Sequence, residues 1–163
     1  MLFRSLTTLN ILSNGATAFT RDIANGGNAI TEEIQRQLNV SQEEAEAFKC
    51  GGARGLVPKE VPEIIVQAVE GLAGEIQRSL DFYLATSGDR DVDRIIISGG
   101  TGNVAALRES VARRARVEVE VLDATRVAAP DTKRVDPLLL QGRELQAVVA
   151  CGLALRKDRE PAS

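Results

Sequence analysis

At 163 residues the chain is long enough for one domain of ordinary size, or two small lobes, around a real core. Apolar residues make up 44% but aromatics only 3%, so the interior is built from Val, Ile, Leu and Ala, which favours α/β layers over an aromatic-rich sandwich. A net charge of −3 gives no chain-wide attraction to nucleic acid, and the lack of any histidine excludes a Cys/His zinc site and Ser-His or Cys-His catalysis.

Cys50 and Cys151 lie far apart and read as reduced, small apolar residues of a cytosolic protein. The N-terminus lacks the basic-apolar-small layout of a signal peptide, and no apolar run approaches the ~18 residues needed to span a bilayer. A membrane role therefore has to pass through a partner. Met1-Leu2-Phe3-Arg4 leads at once into a strand-like run, which suggests a truncation or an internal start.

From Leu6 to Ile23 two β-rich runs flank Asn14-Gly15, a dipeptide suited to the positive φ angles of a tight hairpin turn. A glycine loop, Ala24 to Asn28, follows, and Thr31-Glu32-Glu33 opens a helix with Ile30, Ile34 and Leu38 four apart. Gly26-Gly27 is either a purely structural turn or a place where a ligand approaches bare backbone. Ser41 to Glu44 (SQEE) is a capping box starting a short helix from Gln42 to about Lys49. On that helix Glu46 and Lys49 are three apart and share a face, where as a solvated pair they support each other by a few tenths of a kcal/mol.

Pro58 to about Thr86 reads as a long amphipathic helix, with Val61, Ile65, Val69, Leu72, Ile76, Leu80 and Tyr83 as its core stripe and Pro62 in its first turn. Ser87 to Asp93 is a polar loop. It delivers the chain to Arg94–Leu107 (RIIISGGTGNVAAL), where Ile95, Ile96 and Ile97 read as a strand buried on both faces and Ser98 to Gly102 turns into a helix opening near Asn103. Strand, glycine turn and helix let a ligand, most naturally a nucleotide, lie against backbone without a Cβ in the way; the competing reading is a tight βα turn that needs glycine only for its geometry. Arg108, Arg113, Arg114 and Arg116 on the helix read as a solvated face near its C-terminal end. Val117 to Val121 (VEVEV) alternates like a half-buried strand, Leu122 to Leu140 reads as a long loop, Leu145 to Leu155 as a final small-residue helix, and 157–163 as a frayed tail.

Several of these pieces together resemble one family. LTTLNILSNG, FTRDIANGGNAITEEI, EEAEAFK, IIISGGTGN and ACGLALR, spread from Leu6 to Arg156, are similar to the C-terminal half of the type IV pilus assembly PilM family, actin-like ATPase-fold proteins related to FtsA. The resemblance implies an α/β, actin-like (ribonuclease H-like) C-terminal lobe: a mixed sheet, comprising the hairpin, the RIII strand and the VEVEV strand, with flanking helices and a small inserted helical subdomain. It divides the chain into a first part of the lobe (1–40), a nucleotide-facing helical subdomain with the long helix (41–86), the remainder of the lobe (87–156) and the tail.

The resemblance further implies that Gly99, Gly100, Thr101 and Gly102, with Asn103 close by, form the adenosine side of a nucleotide cleft, with Gly26 and Gly27 contributing. It also implies that Glu46 and Lys49 face them from the opposite subdomain, over the ribose and adenine, the carboxylate accepting from ribose hydroxyls and the ammonium lying over the base or reaching a phosphate. Of the second phosphate hairpin only Ser5, Thr7 and Thr8 match, since Met1 to Arg4 stand where the family has Asp-x-Gly. The implied cofactor is ATP or ADP, with Mg²⁺ only where an N-terminal lobe completes the cleft, so that this chain alone is expected not to hydrolyse ATP. The implied role is a cytoplasmic scaffold of the pilus and twitching-motility machine. It associates with the inner membrane through a PilN-type partner held by the absent half, with possible self-association in a ring. The alternatives are the catalytic half of an actin-like ATPase or kinase, and a plain α/β interaction domain.

Overall fold

The computed structural model describes residues 6–52, 55–122, 124–127 and 144–155. Strands β1 (Thr7–Ser13) and β2 (Ala16–Ile23) form an antiparallel hairpin with Thr7 opposite Ile23, irregular between Ile11 and Leu12. Both turn residues have positive φ, 52° at Asn14 and 79° at Gly15, the backbone that matches the twist of the two strands. One face of the hairpin buries Ile11 and Ile23, with Leu9 and Phe19 half-buried beside them. Phe19 also stands against Phe82 and Tyr83, with ring centroids 6.0 Å apart in both pairs.

Helix α1 spans Gly27–Leu38 and α2 spans Gln42–Lys49. The capping box of α2 is reciprocal: the Glu44 amide donates to Ser41 Oγ at 3.2 Å and the Ser41 amide to Glu44 Oε2 at 2.9 Å, satisfying two otherwise unpaired groups. Helix α3 (Val61–Ser87, 27 residues) runs against α1, β2 and α4 (Ala105–Ala115). Its buried stripe includes Val61, Ile64, Val69, Leu72, Ile76, Leu80 and Tyr83; Ile64 takes the buried position expected of Ile65, which is half-buried. The core joins these to Ile30 and Ile34 of α1, Ala45 of α2, and Leu107 and Val111 of α4.

Strands β3 (Arg94–Ile97) and β4 (Glu118–Val121) pair in parallel, Ile95 opposite Val119 and Ile97 opposite Val121, joined by a crossover through α4. They form one two-stranded sheet and the hairpin another, so the strands expected to share a single mixed sheet do not hydrogen-bond into one among the described residues. Each pair closes through its own connection, the turn at Asn14-Gly15 or the α4 crossover, and helices α3 and α4 supply the packing between them. The expectation that the RIII strand is buried on both faces is also corrected. Ile95 and Ile97 are half-buried, but Ile96 is 49% exposed, because α4 packs over one side of this small sheet.

Ala124–Val127, within the stretch read as a loop, is a short helix α5, and the last helix α6 covers Val148–Ala154 after a 3-10 turn at Glu144–Gln146. Residues 123 and 128–140 of that stretch, Ser5 and the tail 157–163 lie outside the described residues. None of the described helices is long and apolar enough to cross a membrane.

Two of the arginines read as solvated hold α4 to α3. Glu70 Oε2 accepts from Arg114 Nε at 2.9 Å, and Oε1 accepts from Arg113 and from the buried Ser110 hydroxyl at 2.8 Å. The Arg114 and Ser110 hydrogen bonds hold the Glu70 carboxyl below the usual glutamate range. A carboxyl with a depressed folded-state pKa stabilises the fold above its unfolded value, and the contribution is lost as pH falls through the folded one. Acid titration followed by circular dichroism is therefore expected to lose stability below about pH 4.5, the ordinary glutamate value. Glu70→Gln should make that loss shallower.

Candidate functional site

The residues singled out in sequence fall into three groups in space. The first converges on the N-terminus of α1. Gly26 is its extended N-cap (φ −167°, ψ −158°), and the Ala29 amide bonds back to the Gly26 carbonyl at 3.1 Å. The helix thus begins at Gly27, one turn earlier than expected, and Thr31 stands inside it, 1% exposed and on the same side as Ile30 and Ile34.

The approach to Gly27 is close. A Cβ there would stand 2.7 Å from Thr101 Oγ1 and 3.7 Å from Lys49 Nζ, so Gly27, the GGTG turn and the end of α2 meet at one point only because Gly27 has no side chain.

Lys49 and Glu46 close this group from α2. Lys49 Nζ donates to Glu46 Oε2 at 2.6 Å, to Thr31 Oγ1 at 2.9 Å and to the Gly27 carbonyl at 3.2 Å. Thr31 Oγ1 lies 2.7 Å from Glu46 Oε2 and 3.2 Å from the Gly27 carbonyl; its one proton goes to the nearer, charged acceptor. The Lys49 side chain is 10% exposed and that of Glu46 33%. The pair is therefore a tie between two helices, and the reading of it as a solvated pair on one helix face fails because the ammonium turns inward onto α1.

The second group is the glycine turn. Gly99 adopts φ 89°, ψ 165°, and a Cβ placed on it would meet nothing within 4 Å among the described residues: the backbone there needs glycine for its dihedral angle. Its amide donates to the Leu145 carbonyl at 2.7 Å. Gly102 is packed, with Ile97 and Leu145 side chains 3.0 and 3.2 Å from a Cβ position, while Gly100 faces the end of the Gln146 side chain at 3.1 Å. Residues Gly100–Asn103 form a 3-10 turn, so α4 starts at Ala105, later than expected; Asn103 is exposed.

This asymmetry predicts that Gly99→Ala lowers the unfolding free energy by about 2 kcal/mol through backbone strain alone, whereas Gly100→Ala, whose new methyl meets a movable glutamine, costs under about 1 kcal/mol. Urea denaturation of the two variants checks it, and equal costs would refute the conformational argument.

The third group is the hairpin pair. Thr7 Oγ1 donates to the Asn25 carbonyl at 2.7 Å, fixing the loop before Gly26. Thr8 sits on the opposite, exposed face and donates to Asp22 at 2.8 Å, so it does not join the others. Sequence reasoning missed Thr31, Leu145 and Gln146 as members of the site. For Thr31 the signal was available: a hydroxyl one position after Ile30, inside the apolar stripe of α1 and four after Gly27. Nothing local announced Leu145 and Gln146, which reach the turn through tertiary packing.

Chemically, the arrangement offers a carboxylate at the mouth of the α1–α2 junction, a threonine hydroxyl at Thr101 and, among the described residues, an uncovered strip of backbone at Gly99. That set suits a neutral, hydroxyl-bearing ligand portion such as a nucleoside. Among the described residues Lys49 is the cation of the junction, and all three of its N–H groups already have acceptors.

Comparison with known proteins agrees on the fold. The "PilM-PilN type IV pilus biogenesis complex" contains a chain that matches with a TM-score of 0.76 and 25% identity over 93% of this chain. The ethanolamine utilization protein EutJ from Carboxydothermus hydrogenoformans matches with a TM-score of 0.60 and 20% identity over 72% of it, a likeness of fold alone. The chain spans 43% and 40% of the length of these two proteins. The fold is thus actin-like, as the sequence motifs implied. The family described as type IV pilus assembly protein PilM matches residues 3–158, and with nearly the whole chain inside that match, it belongs to this family.

Proposed function

We propose that the chain supplies the adenosine-facing side of an adenine-nucleotide cleft in a type IV pilus assembly scaffold. What supports the reading is the meeting of Gly27, Thr101 and Lys49 within one van der Waals shell. Three segments distant in sequence, two of them glycine loops, come together beside the partly exposed Glu46 carboxylate and the open backbone at Gly99. Gly26, Gly27, Glu46, Thr101 and the Gly99–Gly102 turn form the nucleoside side in this reading, Lys49 stands behind Glu46, and Thr7 steadies the approach loop through Asn25. The described residues suit the nucleoside part of such a ligand: they gather a carboxylate, a hydroxyl and bare backbone that can pair with ribose hydroxyls and a base. In this reading the chain is a scaffold that binds nucleotide, and phosphoryl transfer is the competing reading.

The membrane connection in this reading is indirect. The matched solved structure is a complex with PilN, and a PilN-type partner at the cytoplasmic face of the membrane is the corresponding expectation here.

Protein-observed NMR with increasing ATP tests the nucleotide assignment. Shifts of the Gly27, Glu46 and Gly99–Thr101 amides that saturate in the millimolar range or below are the expected result. Shifts spread over the surface, or none, would leave a plain interaction domain as the better reading, and release of phosphate by the chain alone would favour the catalytic alternative.

A further inference from the structure

We infer that Thr31 is a positioning residue: its buried hydroxyl, wedged between the Lys49 ammonium and the Glu46 carboxylate, sets the carboxylate toward the ligand side of the junction. The inference rests on the nucleoside site described above and goes beyond it by dividing the roles of the residues.

Saturation of Lys49 carries the argument. An ammonium has three N–H donors, and all three are taken, by Glu46 Oε2, Thr31 Oγ1 and the Gly27 carbonyl at 2.6 to 3.2 Å. With its side chain 10% exposed, Lys49 meets a ligand only after breaking one of those bonds. Glu46, with a third of its side chain exposed, is the member that meets ligand hydroxyls directly.

A charged pair three residues apart on one helix would swing freely on two flexible stems. Thr31 removes that freedom, because its β-branched side chain is stiff within α1, accepting from Lys49 and donating to Glu46 at 2.7 Å. The Thr31 and Lys49 bonds to the carboxylate converge on Oε2, so both act on the same oxygen. The Lys49 ammonium from which the Thr31 hydroxyl accepts also donates to the Gly27 carbonyl, at 3.2 Å. The orientation of Glu46 is thereby referred to the same glycine that touches Thr101.

The test is a set of variants titrated with ATP by NMR and unfolded in urea. Thr31→Val keeps shape and removes the hydroxyl, Thr31→Ser keeps the hydroxyl, and Glu46→Gln removes the charge. Expected are an affinity loss of about tenfold for Thr31→Val, recovery to within about threefold of wild type for Thr31→Ser, and no further loss when Thr31→Val is added to Glu46→Gln. A merely structural role would move the urea midpoint without that non-additivity. If Glu46→Gln weakens binding tenfold while Thr31→Val leaves it unchanged, or if the two losses simply add, the positioning role is overturned and the nucleoside site stands. If Glu46→Gln binds as wild type does, the site itself falls and the positioning role with it. Thr31→Ala carries the same expectations should the valine variant fail to fold.

Discussion

Ile34→Ala is expected to lower the unfolding free energy by about 3 kcal/mol, among the largest single-residue costs in the chain. Ile34 is 0% exposed and belongs to the cluster that joins α1 to α2 and α3. Truncation there removes buried methyl and methylene groups and leaves a cavity between helices that are held at both ends, so collapse is limited. The two ends differ in kind: α1 starts at the Gly27 contact and ends at Asn39 in the left-handed conformation (φ 52°). A urea midpoint shift at constant slope is the measurement, with Ile34→Val as the conservative step costing about 1 kcal/mol. A cost under about 1 kcal/mol for the alanine variant would mean that the α1–α3 junction is loosely packed. The functional consequence lies one turn back, where Thr31 and Gly27 take their positions from the same helix.

Much of this architecture could be read from local chemistry. Asn14-Gly15 announced the hairpin because few other dipeptides accept positive φ at both turn positions. Ser41 and Glu44 announced α2 because a capping box is a pairwise signal three residues apart. The long stripe of α3 has the helical period and little competition from another one. What the sequence concealed is tertiary. Three consecutive isoleucines look the same in a strand covered on both sides and in one covered by a single helix, so the exposure of Ile96 depended on what lies beyond β3. The two-stranded sheets, likewise, reflect which edges meet, and no propensity encodes that.

The candidate site was legible in its parts and hidden in its wiring. Glu46 and Lys49 were recognisable as a pair, as were Gly26-Gly27 and Gly99-Gly100 as loops, and the family pattern placed them near one another. The direction of the Lys49 side chain could not be read, because an i, i+3 spacing on an eight-residue helix is compatible with an ammonium in water or one turned onto a neighbouring helix. Arg113 and Arg114 carry the same lesson in reverse: their place near the end of α4 suggested solvent and dipole, and Glu70 on α3, more than forty positions earlier, gave them a partner.

Lys49→Ala separates the two readings of that pair by energy. A solvated Glu46–Lys49 pair contributes no more than about 0.5 kcal/mol. An inward ammonium with three acceptors is a different case, since its removal takes a donor at once from the Gly27 carbonyl, the Thr31 hydroxyl and the Glu46 carboxylate. Full burial would put the cost at about 3 to 5 kcal/mol, and the one-third exposure of Glu46 lets water recover part of it, which brings the expected value to about 2 kcal/mol. Nucleotide affinity should fall about tenfold in the same variant, because Glu46 loses the partner that fixes it. Urea unfolding and an NMR titration on one preparation give both numbers. A stability change within 0.5 kcal/mol, the ceiling for a solvated pair, would return Lys49 to solvent, and unchanged affinity alongside a large stability loss would leave it a helix tie with no part in presenting Glu46.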